Sequence, residues 1–121
     1  MASHDSRTLY ASAARTATVT GTDQFNLGHR GLHLVIDVTA VTATPSIVPT
    51  IQGKSATGIY YDILVGTAIT ATGTIVLKVY PGIGAVAGGA ASDVLPAVWR
   101  LLLTHADADS ETYSVAANLV V

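Results

Sequence analysis

The stretch Leu32-His33-Leu34-Val35-Ile36-Asp37-Val38-Thr39-Ala40-Val41 decides the fold class. Its even positions, Leu32, Leu34, Ile36, Val38 and Ala40, are all apolar. Its odd positions mix His33, Asp37 and Thr39 with Val35 and Val41. Successive side chains of a strand point to opposite faces, so this period of two describes a β-strand with two unlike faces. Upstream, from Arg15, Thr16, Thr18 and Thr20 alternate with Ala17 and Val19 until Gly21-Thr22-Asp23 closes the run. Downstream, Ser46–Gln52 carries Pro49 in its middle. Proline cannot donate to a ladder, so this strand is expected at a sheet edge or bulged at Pro49.

The turn Gly53–Gly58 joins that segment to a strand over Ile59–Val65, which predicts a hairpin. Thr74–Tyr80 alternates Ile75, Leu77 and Val79 against Val76, Lys78 and Tyr80, and Pro81-Gly82 ends it. Residues 82–93 are rich in glycine and alanine and read as a flexible or surface-hugging loop. Ala97–His105 and Thr112–Leu119 are the last strands, joined by the polar Asp107–Glu111 tip. About seven strands without room for long helices indicate a single all-β domain, a β-sandwich or jelly-roll-like barrel. Residues 1–13 are polar or small and read as an extended N-terminal arm, with the sandwich over 14–121.

Composition narrows the function classes. Half of the 121 residues are hydrophobic, 12% are charged and none is cysteine. Mean hydropathy is +0.49. This is more apolar surface than a small monomer needs, and contact with other protein would use it. The surplus lies on second strand faces (Val35, Val41, Val48, Val76), in the Gly/Ala loop and in the arm. A net charge of −2, with six dispersed Lys and Arg, argues against nucleic acid as a partner. No aliphatic run approaches the ~20 residues of a spanning helix. Five tyrosines, one phenylalanine and one tryptophan, without an export signal, do not suit a membrane β-barrel either.

Motifs for chemistry are weak throughout. Gly53-Lys54-Ser55 shares the end of a phosphate-binding loop, but Val48 stands where that motif needs glycine, and a strand follows instead of a helix. Asp107, Asp109 and Glu111 alternate and could hold a cation, yet they lack the glycine and distant glutamate of an EF-hand loop. His33 and His105 lie in predicted strands and could face each other, while His4 and His29 add no ligand spacing. No serine sits in a nucleophile elbow. Trp99 with Tyr60, Tyr61, Tyr80 and Tyr113 could form a sugar platform, although a lone Trp inside a strand is more often a core anchor. The expectation is no enzyme, no catalytic residue, no cofactor and no metal.

Several motifs in order carry a resemblance: Thr50-Ile51-Gln52-Gly53-Lys54, Tyr60-Tyr61-Asp62-Ile63-Leu64, Tyr80-Pro81-Gly82-Ile83, Leu95-Pro96 with Trp99-Arg100, and His105 to Val115. Together, over about residues 30–120, they resemble a group of small proteins encoded by tailed bacteriophages and prophages. The resemblance implies a virion structural protein, foremost a head decoration (cement) protein on the outside of the capsid shell, made in the host cytoplasm. Its implied partners are the major capsid protein and neighbouring copies of itself, with a trimer a natural homo-oligomer. A tail or head-completion component and a carbohydrate-binding sandwich are the alternatives. On the decoration reading, contacts are expected from the arm (Arg7, Leu9, Tyr10), the small-residue loop (Gly82, Ile83, Val86) and a hairpin tip (Asp107, Asp109).

Overall fold

The computed structural model describes residues 4–121, which form ten strands and no helix. In chain order they are β1 (Asp5–Arg15), β2 (Val19–Thr20), β3 (Gln24–Phe25), β4 (Gly31–Val41), β5 (Ile47–Lys54), β6 (Tyr60–Val65), β7 (Gly73–Val79), β8 (Ala90–Ala91), β9 (Val98–His105) and β10 (Glu111–Val120). Two five-stranded sheets pack as a sandwich. One has the order β1-β10-β4-β7-β8; the other runs β2-β9-β5-β6, with β3 also paired to β9. All pairings are antiparallel except the short β7–β8 contact.

The alternation in β4 is realised from Leu32 to Val38; Ala40, read on the same inward face, is exposed beyond the register shift at Thr112/Tyr113. Leu32, Leu34, Ile36 and Val38 are buried, whereas His33, Asp37 and Thr39 are exposed. From the opposite sheet, Ile51, Trp99, Leu101 and Leu103 close the same core. Each fully buried aliphatic side chain stabilises by about 1.5–3 kcal/mol relative to exposure, so two such faces supply the main driving force for this fold.

From Asp5 onward the stretch 1–13, read as an arm, belongs to the edge strand β1, which continues to Arg15 and pairs along β10 from Asp5↔Leu119 to Arg15↔Glu111. Residues 1–3 of that stretch lie outside the described residues. The strand hid in the sequence because its register slips between Thr8 and Tyr10 and again between Tyr10 and Ala13. A bulge turns consecutive side chains the same way, and here Leu9 and Tyr10 both pack against the core. Burial alternates from Asp5 to Leu9, but Asp5 and Arg7 are charged, so no apolar period of two results.

Pro49 does not lie on an edge strand: β5 runs between β9 and β6. The ladder to β6 begins one residue later, at Thr50↔Val65. The Ile47 amide donates toward Ile69, and Pro49, two residues on, has its nitrogen on that same side. The next pair in that register is Pro49 with Gly66: Gly66 N donates to Pro49 O at 2.7 Å, and only the return bond, for which proline has no N–H, is missing. A Cβ on Gly66 would lie 2.7 Å from Pro49 Cγ, so glycine is what lets the chain pass the proline. The only register shift in this pairing falls further along, between Ile51 and Gln52.

Ala43, in the β4–β5 turn, has φ 61°, a left-handed conformation that a Cβ disfavours. Its neighbours hold it there. Thr42 N donates to Ser110 O at 2.9 Å, and the Asp109 carboxylate accepts from both Thr44 N and Thr44 Oγ1. Ala43→Gly is therefore expected to raise stability by up to about 1 kcal/mol in urea titration, against the usual direction for such a change.

Candidate interaction surface

Antiparallel strands send their connections to two ends, and here the ends differ in chemistry. One carries the β3–β4, β5–β6 and β8–β9 connections and the C-terminus. Among the described residues, six of the nine exposed large hydrophobic side chains lie at this end: Phe25, Leu27, Ile59, Tyr61, Val94 and Val121. Leu27 is 80% exposed and Ile59 65%. The opposite end carries the Thr-rich β4–β5 and β6–β7 connections and the β9–β10 tip with Asp107 and Asp109.

The apolar end is built rigidly. Asn26 links two loops: its Nδ2 donates to His29 O at 2.7 Å and to Leu95 O at 3.0 Å, and its backbone N donates to Ala97 O at 2.8 Å. Leu95 N donates to Arg30 O at 2.9 Å. The Tyr61 ring and Pro96 lie so close over Gly53 that a Cβ there would be 2.5 Å from Tyr61 Cζ. These contacts tie down the loops on which Leu27 and Val94 face solvent.

Beside this end, the outer face of the β9-β5-β6 sheet carries a closed polar network. Asp23 accepts from Lys54 Nζ at 2.8 Å and from Tyr60 Oη at 2.6 Å. The hydrogen bond from Lys54, then that from Tyr60, holds the Asp23 carboxyl below the usual carboxylate range; Asp23 in turn raises Lys54. Arg100 stacks on Tyr60, its guanidinium carbon 3.4 Å from the ring centroid, and its Nε donates to Gln52 Oε1 at 2.8 Å. Gln52 Nε2 then donates to Asp62 Oδ1 at 2.9 Å. Each charge is engaged by a neighbour, so the network braces the face on which it lies.

The residues expected to make contacts are not brought together. Arg7, Leu9 and Tyr10 belong to β1, at one edge of the first sheet. Gly82, Ile83 and Val86 precede β8, at the opposite edge of that sheet. Asp107 and Asp109 lie at the polar end, where Asp107 Oδ1 accepts from Asp109 N at 3.0 Å and Asp109 clamps Thr44. Val35, Val41 and Val48 are only partly exposed, and Val76 is 39% exposed. Next to Leu9 and Tyr10 a cleft of about 250 Å³ opens between β1 and Thr20, Gly21, Thr22, Gln24 and Leu101.

The alternating acids diverge: Asp107 is exposed, while Glu111 is fully buried in β10. Among the described residues, no group of three or more His, Asp or Glu side chains is placed to hold a metal ion. His33 lies on the outer face of β4, and His105 ends β9 in the other sheet, its Nε2 3.0 Å from Tyr113 Oη. The five aromatic side chains considered as a sugar platform do not form one. Trp99 and Tyr113 are fully buried, Arg100 covers Tyr60, Tyr61 packs on Gly53, and Tyr80 Oη donates to Val121 O. Sequence reading missed Phe25, Leu27, Ile59 and Val94. A signal existed for Leu27, a large aliphatic flanked by Asn26 and Gly28 in a turn.

Fold and surface together define an antiparallel β-sandwich with one apolar, braced end and one polar end. A likeness of fold extends to a chain in the structure of the Gx strain of infectious bursal disease virus, with a TM-score of 0.51 and 13% sequence identity. It covers 96% of the present chain, which spans 32% of that one. No protein-family model matches the sequence, and no curated protein matches it.

Proposed function

We propose that this chain is a virion structural protein that decorates the outside of a bacteriophage head shell and stabilises it through its apolar end. The concentration of exposed Phe25, Leu27, Ile59, Tyr61 and Val94 at one braced end carries this reading. Exposed apolar side chains gathered at one end of a small protein mark a contact surface. The motif resemblance to tailed-phage proteins and the fold's likeness to a chain of a virus structure support a virion setting. Decoration needs no catalysis, only a rigid body and adhesive area shared between neighbouring subunits. The major capsid protein is the partner for the apolar end, with further copies of the chain around a symmetry axis closing exposed sheet edges.

Mass spectrometry of purified particles tests the setting. The chain is expected in proportion to the shell subunits. A few copies per particle would favour a tail or head-completion component, and absence would end the virion reading. Leu27→Asp combined with Val94→Asp tests the surface. Both positions are exposed, so the circular dichroism spectrum should persist while binding to undecorated shells weakens by at least about tenfold. Unchanged binding in this variant would remove the apolar end from the interface.

A further inference from the structure

Glu111 opens β10 fully buried, and neither of its carboxyl oxygens has a hydrogen-bond partner. Its register neighbours are Arg15 on β1 and Val41 on β4. On the β4 side the ladder slips close by, between Thr112 and Tyr113; on the β1 side three regular pairs, Arg15↔Glu111 to Ala13↔Tyr113, separate it from the shift between Tyr10 and Ala13.

Arg15 is the cation in register with Glu111, and it is engaged elsewhere. Its Nη1 donates to Tyr113 O at 2.6 Å and to Ala13 O at 3.1 Å, and its Nη2 donates to Ala11 O at 2.7 Å. Its guanidinium carbon lies 4.5 Å from the Tyr113 ring centroid and 5.4 Å from that of Tyr10. One side chain thus stitches the bulged half of β1 to itself and to β10. Ala11, Ser12, Ala13 and Ala14 are all exposed and contribute nothing to the core.

We infer that Glu111 and Arg15 form a latch on the N-terminal strand: neutral Glu111 leaves Arg15 clasping the bulge, and ionised Glu111 draws the guanidinium to itself and frees Ala11–Arg15. A buried carboxylate without a partner is strongly unfavourable. An Arg–carboxylate pair forms stronger, charge-assisted bonds than the neutral carbonyls Arg15 would give up. Ala11 O and Ala13 O belong to exposed residues on β1 and can turn to water; Tyr113 O, on buried Tyr113 of β10, is the one buried carbonyl given up, against two buried Glu111 oxygens that gain a partner. Desolvation raises the Glu111 carboxyl to about 7, which brings the change near neutrality.

The other titratable groups around this corner are Tyr10 on β1, Tyr113 on β10, His105 on β9 and Asp107 and Asp109 in the β9–β10 turn; β4 presents Val41 at this register. Burial raises Tyr10, and it raises Tyr113 to about 12, so neither titrates in the same range. Burial, then the Arg15 charge, lowers His105, so its change falls on the acid side. Opening the latch uncovers part of the β10 edge, where unpaired backbone groups can accept a strand from another chain.

Amide hydrogen exchange of the whole chain, corrected for the intrinsic pH dependence of exchange, tests the latch. Between about pH 5.5 and 8.5, protection of Ala11–Arg15 is expected to fall about tenfold more than that of Leu34 and Ile36 in β4. In Glu111→Gln the difference should vanish, with β1 protected throughout. In Arg15→Lys, which cannot span three carbonyls, β1 protection should be low at every pH. Equal losses in β1 and β4, or the wild-type profile persisting in Glu111→Gln, would overturn the inference. Should Glu111→Gln not fold, NMR of the wild type decides. The Glu111 carboxyl carbon and the Arg15 side-chain N–H signals must titrate together near neutrality; titration in the ordinary carboxylate range refutes the latch.

Discussion

Trp99→Ala is expected to destabilise the protein by about 3–5 kcal/mol, read as a large drop in the urea midpoint. Trp99 is the largest fully buried side chain, at 0% exposure, and sits where β9 pairs with both β3 and β5. Removing the indole leaves a cavity between two sheets whose strands are fixed by their ladders and collapse only in part. A domain of this size is stable by roughly 5–15 kcal/mol, so the loss is a large share of the total. Trp99→Phe should lose much less, within about 1.5 kcal/mol. The indole Nε1 is buried without a hydrogen-bond partner, and its removal relieves a desolvation penalty of about 1–3 kcal/mol that offsets the smaller ring. If both variants lost equal stability, the orphaned N–H would have no energetic weight.

The second large effect is pH-dependent. Burial raises the Glu111 carboxyl from 4.5 to about 7 in the folded protein. The folded state therefore holds this proton more tightly than the unfolded chain. The stability it contributes is complete below about pH 4.5 and is lost as pH rises through about 7. At about 1.4 kcal/mol per pKa unit, the difference between acid and alkaline limits is about 3 kcal/mol. Glu111→Gln removes the ionisation, so its stability relative to wild type should rise by that amount between pH 4 and pH 8. His105 works in the opposite sense: its lowered value means stability is lost as pH falls below the usual imidazole range. The mutant should keep that acid-side decline. A Glu111→Gln profile parallel to wild type from pH 4 to 8 would show that the carboxyl ionises freely.

Parts of this fold were legible because they are properties of single strands. The faces of β4 and β7 follow from alternation, and the ends of β7 and β10 from turn residues and polar tips. Glu111 was legible in principle. It shares parity with Tyr113, Val115, Ala117 and Leu119, the inward row of β10. Reading Asp107–Glu111 as one polar tip hid this, because a charged residue next to a turn is ordinarily solvated. The strand β1 was not legible, since its bulges break the alternation and the only apolar side chains it packs on the core, Leu9 and Tyr10, are neighbours.

Alternation is written within about ten residues of chain, and it settled that this protein is made of strands, which faces of them are apolar, and that Trp99 belongs to a strand interior. Partnership is written nowhere so local. Asp5 pairs with Leu119, and Gly31 with Val120, across most of the chain. Only the folded sheets decide that Pro49 lies on an interior strand beside a gap in the ladder, that Tyr60 is covered by Arg100, and that Glu111 is left without a partner. The same holds for the apolar end. Leu27, Ile59 and Val94 are isolated side chains in three separate loops, and antiparallel topology alone gathers those loops on one side of the sandwich.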